Sequence, residues 1–148
     1  MKYKNKMKQI YTLLIALSVF MLFSCNKETA DTQTNVMNQL LTNKNWYLDY
    51  SITQSQTSTS PAVLKSYVGQ STYFITYLKN GDTKDSDGIT GTYTVEVNNN
   101  QSQIHMQLKT SNGNPFEVVY DIISVGESNM ILSKVASGPT TKLYFTNK

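Results

Sequence analysis

The residue types with the greatest chemical potential in this chain are one cysteine and one histidine, Cys25 and His105. A hydrolytic triad needs a nucleophile held beside a base. His105 alternates with apolar residues on the polar side of a predicted strand, whereas Cys25 follows an apolar segment near the N-terminus. We therefore expect His105 to be an exposed strand residue without a metal, since a lone imidazole is a poor metal site. The sequence predicts no enzyme, no catalytic residue and no cofactor.

A small acidic cluster is the other candidate for chemistry. Asp82, Asp85 and Asp87 precede Gly88, and their carboxylates are of the kind that binds calcium. The spacing lacks the complete calcium-binding loop and its distal glutamate, and aspartate and glycine are also common turn residues. We interpret residues 82–87 as an acidic turn and leave calcium binding as the alternative.

The first 24 residues have the layout of a signal peptide. Four lysines in residues 2–8 precede an uncharged run over residues 10–23. As a helix, these roughly 14 residues would extend about 21 Å, which is less than the roughly 30 Å of a hydrocarbon core. The run therefore favours a cleaved signal peptide over residues 1–24, with an uncleaved anchor helix as the alternative.

Cys25 ends a tetrapeptide, Leu22, Phe23, Ser24 and Cys25, that resembles the lipobox of bacterial lipoproteins. The leucine three positions before the cysteine and the small residue directly before it fit that motif, whereas Phe23 departs from it. The resemblance implies that Cys25 becomes the mature N-terminus, carries diacylglycerol and an acyl chain such as palmitate, and anchors the protein in the outer membrane. Asn26, Lys27 and Glu28 resemble a surface-export signal, and the periplasmic and cell-surface faces both stay open.

The charge of the mature chain argues against nucleic-acid binding. Removing Lys2, Lys4, Lys6 and Lys8 leaves nine basic residues against ten acidic ones, a net charge of −1. The chain contains no arginine, the residue favoured for clamping phosphates and reading bases. The predicted partners are therefore the membrane and either a small apolar ligand or an envelope protein.

The mature chain divides into a tether and a domain. Residues 25–35 are polar and threonine-rich, which predicts a flexible tether. Val36, Met37, Leu40 and Leu41 have helical spacing, so we expect a short helix that starts after a cap at Thr34 or Asn35 and ends near Asn43. The domain then spans residues 36–148.

After the helix, the hydrophobic period changes to two, which is typical of half-buried strands. We expect residues 54–60 to form an exposed loop, residues 61–69 a short helical turn, and residues 80–88 a tight turn followed by a loop. Short turns between successive strands favour antiparallel pairing. The sequence thus predicts an all-β antiparallel meander of seven to eight strands that forms a barrel, with a two-sheet sandwich as the alternative. The predicted strands lie near residues 46–52, 71–79, 92–97, 104–109, 116–122, 130–135 and 142–147.

Several segments resemble the lipocalin-like lipoprotein domains of Bacteroidetes over roughly residues 36–147. They are the helix, Asn45 with Trp46, and the runs 73–82, 91–95, 120–122, 130–132 and 141–145. The resemblance implies a lipid-anchored binding module of the cell envelope. The alternative is a structural or protein-interaction lipoprotein whose barrel is filled by its own side chains.

The aromatic residues bear on that choice. An eight-stranded barrel is just wide enough to hold a small ligand or to be filled by side chains. Ten tyrosines, five phenylalanines and one tryptophan are available, and we favour core packing for most of them. If some of them line a cavity, Trp46, Tyr77 and Tyr93 are the candidate ligand-binding residues. We also expect Trp46 to be buried, because it is in phase with Leu48 on the first strand.

Overall fold

A computed structural model describes residues 30–55, 61–69, 72–98, 101–134 and 138–148 of the chain. The predicted signal peptide and the lipobox residues Leu22, Phe23, Ser24 and Cys25 lie outside these described residues. One compact unit extends from Thr34 to Lys148. Within the described ranges, no helix is both long and apolar enough to cross a membrane.

The helix, α1, spans residues 30–41 and so begins six residues earlier than predicted. The segment 30–41 contains no glycine or proline, and extending a formed helix costs far less than nucleating one. Residues 30–35, which were assigned to the tether, are therefore helical. The helix is followed by Asn43 at a φ of 60°, a left-handed conformation that ends helices, in agreement with the predicted end.

Nine strands follow α1 in the described chain. In order they are β1 Asn45–Gln54, β2 Val63–Ser66, β3 Phe74–Tyr77, β4 Asp82–Asp85, β5 Thr90–Asn98, β6 Gln101–Lys109, β7 Pro115–Val125, β8 Asn129–Lys134 and β9 Thr140–Asn147. Strands β3 to β9 pair in sequence, and β9 returns to pair with β1, which also pairs with β3. All these pairings are antiparallel, so eight strands close into a barrel and β2 is an additional strand. The predicted barrel is confirmed, and the sandwich is excluded.

The two strands that were not expected are β2 and β4. Residues 63–66 pair with β1 instead of forming a helical turn, because β3 covers only Asn45–Tyr47 and leaves the edge of β1 open from Tyr50 to Thr53. Residues 82–85 are a strand because the turn at Gly81, with a φ of 87°, returns the chain directly alongside β3. The predicted 82–88 loop therefore begins only after Asp85.

Side chains that alternate inward from the strands form one hydrophobic core. Trp46 is fully buried, as predicted. Leu41, at the end of α1, is also fully buried and belongs to the same core, so the helix packs at the barrel end where β1 begins and β3 ends. The other buried hydrophobic residues are Ile75, Tyr77, Tyr93, Val95, Ile104, Met106, Leu108, Ile122, Met130, Leu132 and Phe145.

Candidate functional site

The barrel interior contains a cavity of about 300 Å³. Strands β6 and β7 supply one wall, because Met106, Leu108, Val118 and Tyr120 share the inward phase of their paired strands. Leu132 of β8 and the inward residues of β1 and β9 complete a mostly apolar lining. Aromatic residues such as Trp46 and Tyr93 pack in the core, yet together the side chains still leave space inside the barrel.

The cavity opens toward the barrel end opposite α1. Phe116 begins the inward phase of β7 at that end and lines the cavity, yet 37% of its surface is exposed. An outer groove of about 860 Å³ shares Thr83, Leu108 and Phe116 with the cavity. Phe116 therefore lies at the mouth, where a ligand could enter from solvent.

Polar groups concentrate on the β3–β4 side of the cavity. Tyr73, Thr83 and Asp85 line it there together with Ile89. The Asp85 carboxylate is held by its own turn, because its Oδ1 accepts hydrogen bonds from the backbone N–H groups of Asp87 at 3.0 Å and of Ile89 at 2.8 Å. Residues 85–89 thus form a turn, whereas Asp82 lies at the start of β4, so the predicted acidic turn over residues 82–87 is only partly confirmed. The Asp85 side chain also lines the cavity.

Three tyrosines line the cavity, and the pKa of each of their hydroxyl groups is raised. Burial raises the pKa of Tyr73, and the nearby Asp85 carboxylate raises it further through its charge and a hydrogen bond. Burial likewise raises the pKa of Tyr77 and of Tyr120. The three phenols therefore stay protonated at neutral pH and present hydrogen-bonding groups within an apolar space.

Of the three predicted ligand-binding residues, only Tyr77 lines the cavity. Trp46 lies outside the cavity lining, at the barrel end where α1 packs. There its indole Nε1 donates a hydrogen bond to the Leu41 carbonyl at 2.9 Å. Tyr93 supports Tyr77 through an edge-to-face ring contact at 5.0 Å, and its hydroxyl donates to the Leu78 carbonyl at 3.0 Å.

The sequence reasoning missed Tyr73 and Tyr120 as ligand-binding residues, and it named Asp85 only as part of a possible calcium site. Tyr73 and Tyr120 carry a usable signal, since each continues the inward phase of an apolar strand, with Ile75 and Ile122 respectively. Asp85 carries no such signal because its strand is only four residues long.

His105 does not belong to the cavity. It pairs with Thr94 and Val119 on the outward phase, and its Nε2 lies 3.7 Å from the Glu96 Oε2. Its side chain is 31% exposed, so His105 is partly buried, whereas the sequence predicted an exposed strand residue. Among the described residues, no three histidine, cysteine or acidic side chains are grouped so that they could hold a metal ion.

Comparisons with known proteins give no relative for this fold and this cavity. No family model, no curated protein and no solved structure matches the chain.

Proposed function

We propose that this protein is a lipid-anchored binding module of the cell envelope that holds a small, mostly apolar ligand inside its barrel. The observation that carries the proposal is the cavity of about 300 Å³, which combines apolar walls with a few polar groups on one side. Binding pockets for small molecules typically have this composition, and this volume is near the lower end of their usual range.

The cavity volume limits the ligand. An apolar cavity of about 150 Å³ is enough to bind benzene. A cavity of about 300 Å³ therefore suits a compound with one ring and a short side chain, or an aliphatic compound of similar bulk. The proposal includes no catalytic step.

The lipid on Cys25 would place the domain at the outer membrane. This part of the proposal depends on the lipobox resemblance and on the short apolar run before Cys25. Two or more acyl chains would make the attachment stable, whereas one chain binds membranes only reversibly. The ligand would then be captured at the membrane surface.

An alternative is a protein-interaction lipoprotein, and β2 provides the observation in its favour. Val63 and Leu64 on this strand are 65% and 63% exposed, which is unusual for two adjacent large apolar residues. This alternative was first stated for a barrel filled by its own side chains, and the cavity argues against that filled interior.

The proposal is tested with a neutral probe and a substitution that fills the cavity. We would reconstitute the full chain in phosphatidylcholine vesicles and titrate it with 2-phenylethanol by calorimetry, with empty vesicles as the blank. Val118→Phe adds a ring inside the cavity, whereas Val119→Phe adds the same ring on the outward face of β7. We expect Val118→Phe to abolish binding and Val119→Phe to leave the dissociation constant within twofold.

A second cavity variant, Ile89→Phe, narrows the site from the β4–β5 turn and guards against misfolding of Val118→Phe. Circular dichroism verifies that each variant is folded. If 2-phenylethanol binds both folded cavity variants as tightly as it binds the unmodified protein, a ligand site inside the barrel is ruled out. The interaction alternative would then be preferred.

A further inference from the structure

We propose that the ligand is an organic cation, a primary amine on a small apolar or aromatic body, whose ammonium group pairs with the Asp85 carboxylate inside the barrel. This inference depends on the proposed function, since it names the ligand class for the same cavity. It is carried by the position of a carboxylate in a mostly apolar lining.

The charged groups around the cavity favour a cation. Among the residues that the structure describes, Lys84 and Asp85 are the charged residues in the lining. Thr83 and Asp85 share one phase of β4, and Thr83 is almost completely buried, so that phase faces inward. Lys84 has the opposite phase and is exposed to solvent. A ligand inside the barrel therefore meets the negative charge more closely than the positive one.

The Asp85 carboxylate is fixed and still has capacity for a ligand. Its Oδ1 accepts two backbone N–H groups, and the Tyr73 hydroxyl forms a hydrogen bond with the same side chain. A carboxylate can accept about four hydrogen bonds, which leaves about one for an ammonium group. Because the turn holds the carboxylate in place, binding a cation requires little rearrangement of the site.

The tyrosines add a second recognition element for an amine. The hydroxyl of Tyr77 donates to the Met106 Sδ at 3.9 Å, and a thioether is a weak acceptor. The Tyr77 oxygen can therefore accept an N–H from a ligand. The aromatic rings of Tyr73, Tyr77 and Tyr120 also line the cavity, and aromatic faces attract cations.

An anionic ligand is disfavoured at the same place. Besides burial, the charges of Asp85 and Asp87 raise the pKa of the Tyr73 hydroxyl, so both carboxylates lie close enough to this part of the cavity to repel a further negative charge. A carboxylate ligand there would be repelled in a poorly hydrated space, where charge interactions are strong. Among ligands of the same shape, the cavity should therefore bind the cation most tightly and the anion most weakly.

The test uses three probes of similar shape, namely 2-phenylethylamine, 2-phenylethanol and phenylacetate. Each is titrated at pH 7 into the full chain in phosphatidylcholine vesicles, with empty vesicles as the blank. We expect the amine to bind about tenfold or more tightly than the alcohol, as a charge-assisted hydrogen bond allows, and phenylacetate to bind most weakly.

The matched variants are Asp85→Asn and Asp82→Asn. Asparagine keeps the side-chain oxygen that accepts the two turn N–H groups, so Asp85→Asn removes the charge and preserves the turn. Asp82 lies on the same strand but is exposed, outside the cavity lining. We expect Asp85→Asn to reduce the preference for the amine over the alcohol to less than about threefold, and Asp82→Asn to leave it unchanged.

The outcomes separate this inference from the function on which it rests. If the alcohol binds and the amine binds no more tightly, the amine proposal fails while the binding module stands. The amine proposal also fails if Asp85→Asn retains the preference. If none of the three probes binds, the proposed function itself fails.

Discussion

The indole Nε1 of Trp46 donates a hydrogen bond to the carbonyl oxygen of Leu41 at 2.9 Å, and both residues are fully buried. This bond joins the last residue of α1 to the second residue of β1. It satisfies the indole N–H, which would be costly to bury without a partner, and one of the carbonyl groups left free at the helix end. The closed end of the barrel is thus held by packing and by a specific polar contact.

Replacing this tryptophan should therefore be costly. We expect Trp46→Ala to lower the free energy of unfolding by about 3–5 kcal/mol, the usual range for a buried large aromatic residue. Trp46→Phe should cost less, because it keeps most of the apolar contact and loses the hydrogen bond. Urea denaturation followed by circular dichroism measures both, with Leu64→Ala on the exposed β2 as the control. A loss below about 1 kcal/mol for Trp46→Ala would contradict the buried position.

Gly91 should be intolerant of any side chain. It pairs with Leu108 of β6, and a Cβ atom at this position would overlap the Gln107 carbonyl oxygen and lie 2.8 Å from the Leu108 Cα. These neighbours are backbone atoms that cannot move aside without breaking the β5–β6 pairing. We expect Gly91→Ala to lower the free energy of unfolding by about 1–3 kcal/mol, the usual cost of overpacking.

Gly138→Ala is the matched control for Gly91→Ala, since its added methyl group would have no atom of the described residues within 4 Å apart from those of its chain neighbours. Thermal unfolding of both variants, followed by circular dichroism, should show a clear decrease in melting temperature only for Gly91→Ala. Equal melting temperatures would mean that β5 and β6 are farther apart at this point than described.

The barrel was predictable because its long strands carry strong alternation. Strand β6 spans nine residues and places Ile104, Met106 and Leu108 on one face. This alternation identifies the segment as a strand and shows which of its faces points inward. Strands β2 and β4 have only four residues each, which is too short to show a period, and all four residues of β4 are polar. Their pairing depends on which edges the neighbouring strands leave open, a tertiary property that local pattern does not contain.

The cavity was only partly predictable for a related reason. Alternation shows which face a side chain occupies, and Trp46, Tyr77 and Tyr93 were all correctly placed among inward residues. It does not show the position of a residue along the barrel axis. Trp46 lies at the end closed by Leu41, so its ring completes the core, while the cavity lies toward the other end.

High pH should destabilise the domain through its buried phenols. Burial raises the pKa of Tyr77 above the value of about 10 that it has in an unfolded chain. Above pH 10, the unfolded chain therefore loses this proton while the folded domain keeps it. The free energy of unfolding should decrease by about 1.4 kcal/mol per pH unit for this residue, and the contribution is fully present below pH 10.

Tyr77→Phe tests this pH dependence. Urea denaturation at pH 8 gives the effect of the substitution on packing, and repeating it between pH 10 and pH 11.5 gives the slope. We expect the decrease in stability with pH to be shallower in Tyr77→Phe than in the unmodified protein. Parallel curves would show that the Tyr77 hydroxyl ionises equally in the folded and unfolded states.

Lipid attachment at Cys25 is the prediction on which the location of the protein depends. The thiol is the atom that receives diacylglycerol in lipoproteins, and the short apolar run before it is too short for a membrane span. In a bacterial host that processes lipoproteins, the unmodified protein should incorporate labelled palmitate and sediment with outer membranes. Cys25→Ala should accumulate as an unprocessed precursor without label, which mass spectrometry of the N-terminus would identify.

Ser24→Ala keeps a small residue before the cysteine and should be processed normally, so it controls for general damage to the signal segment. If Cys25→Ala is instead cleaved between residues 24 and 25 and released as a soluble protein, an ordinary signal peptidase acts here, and the binding module is secreted without an anchor.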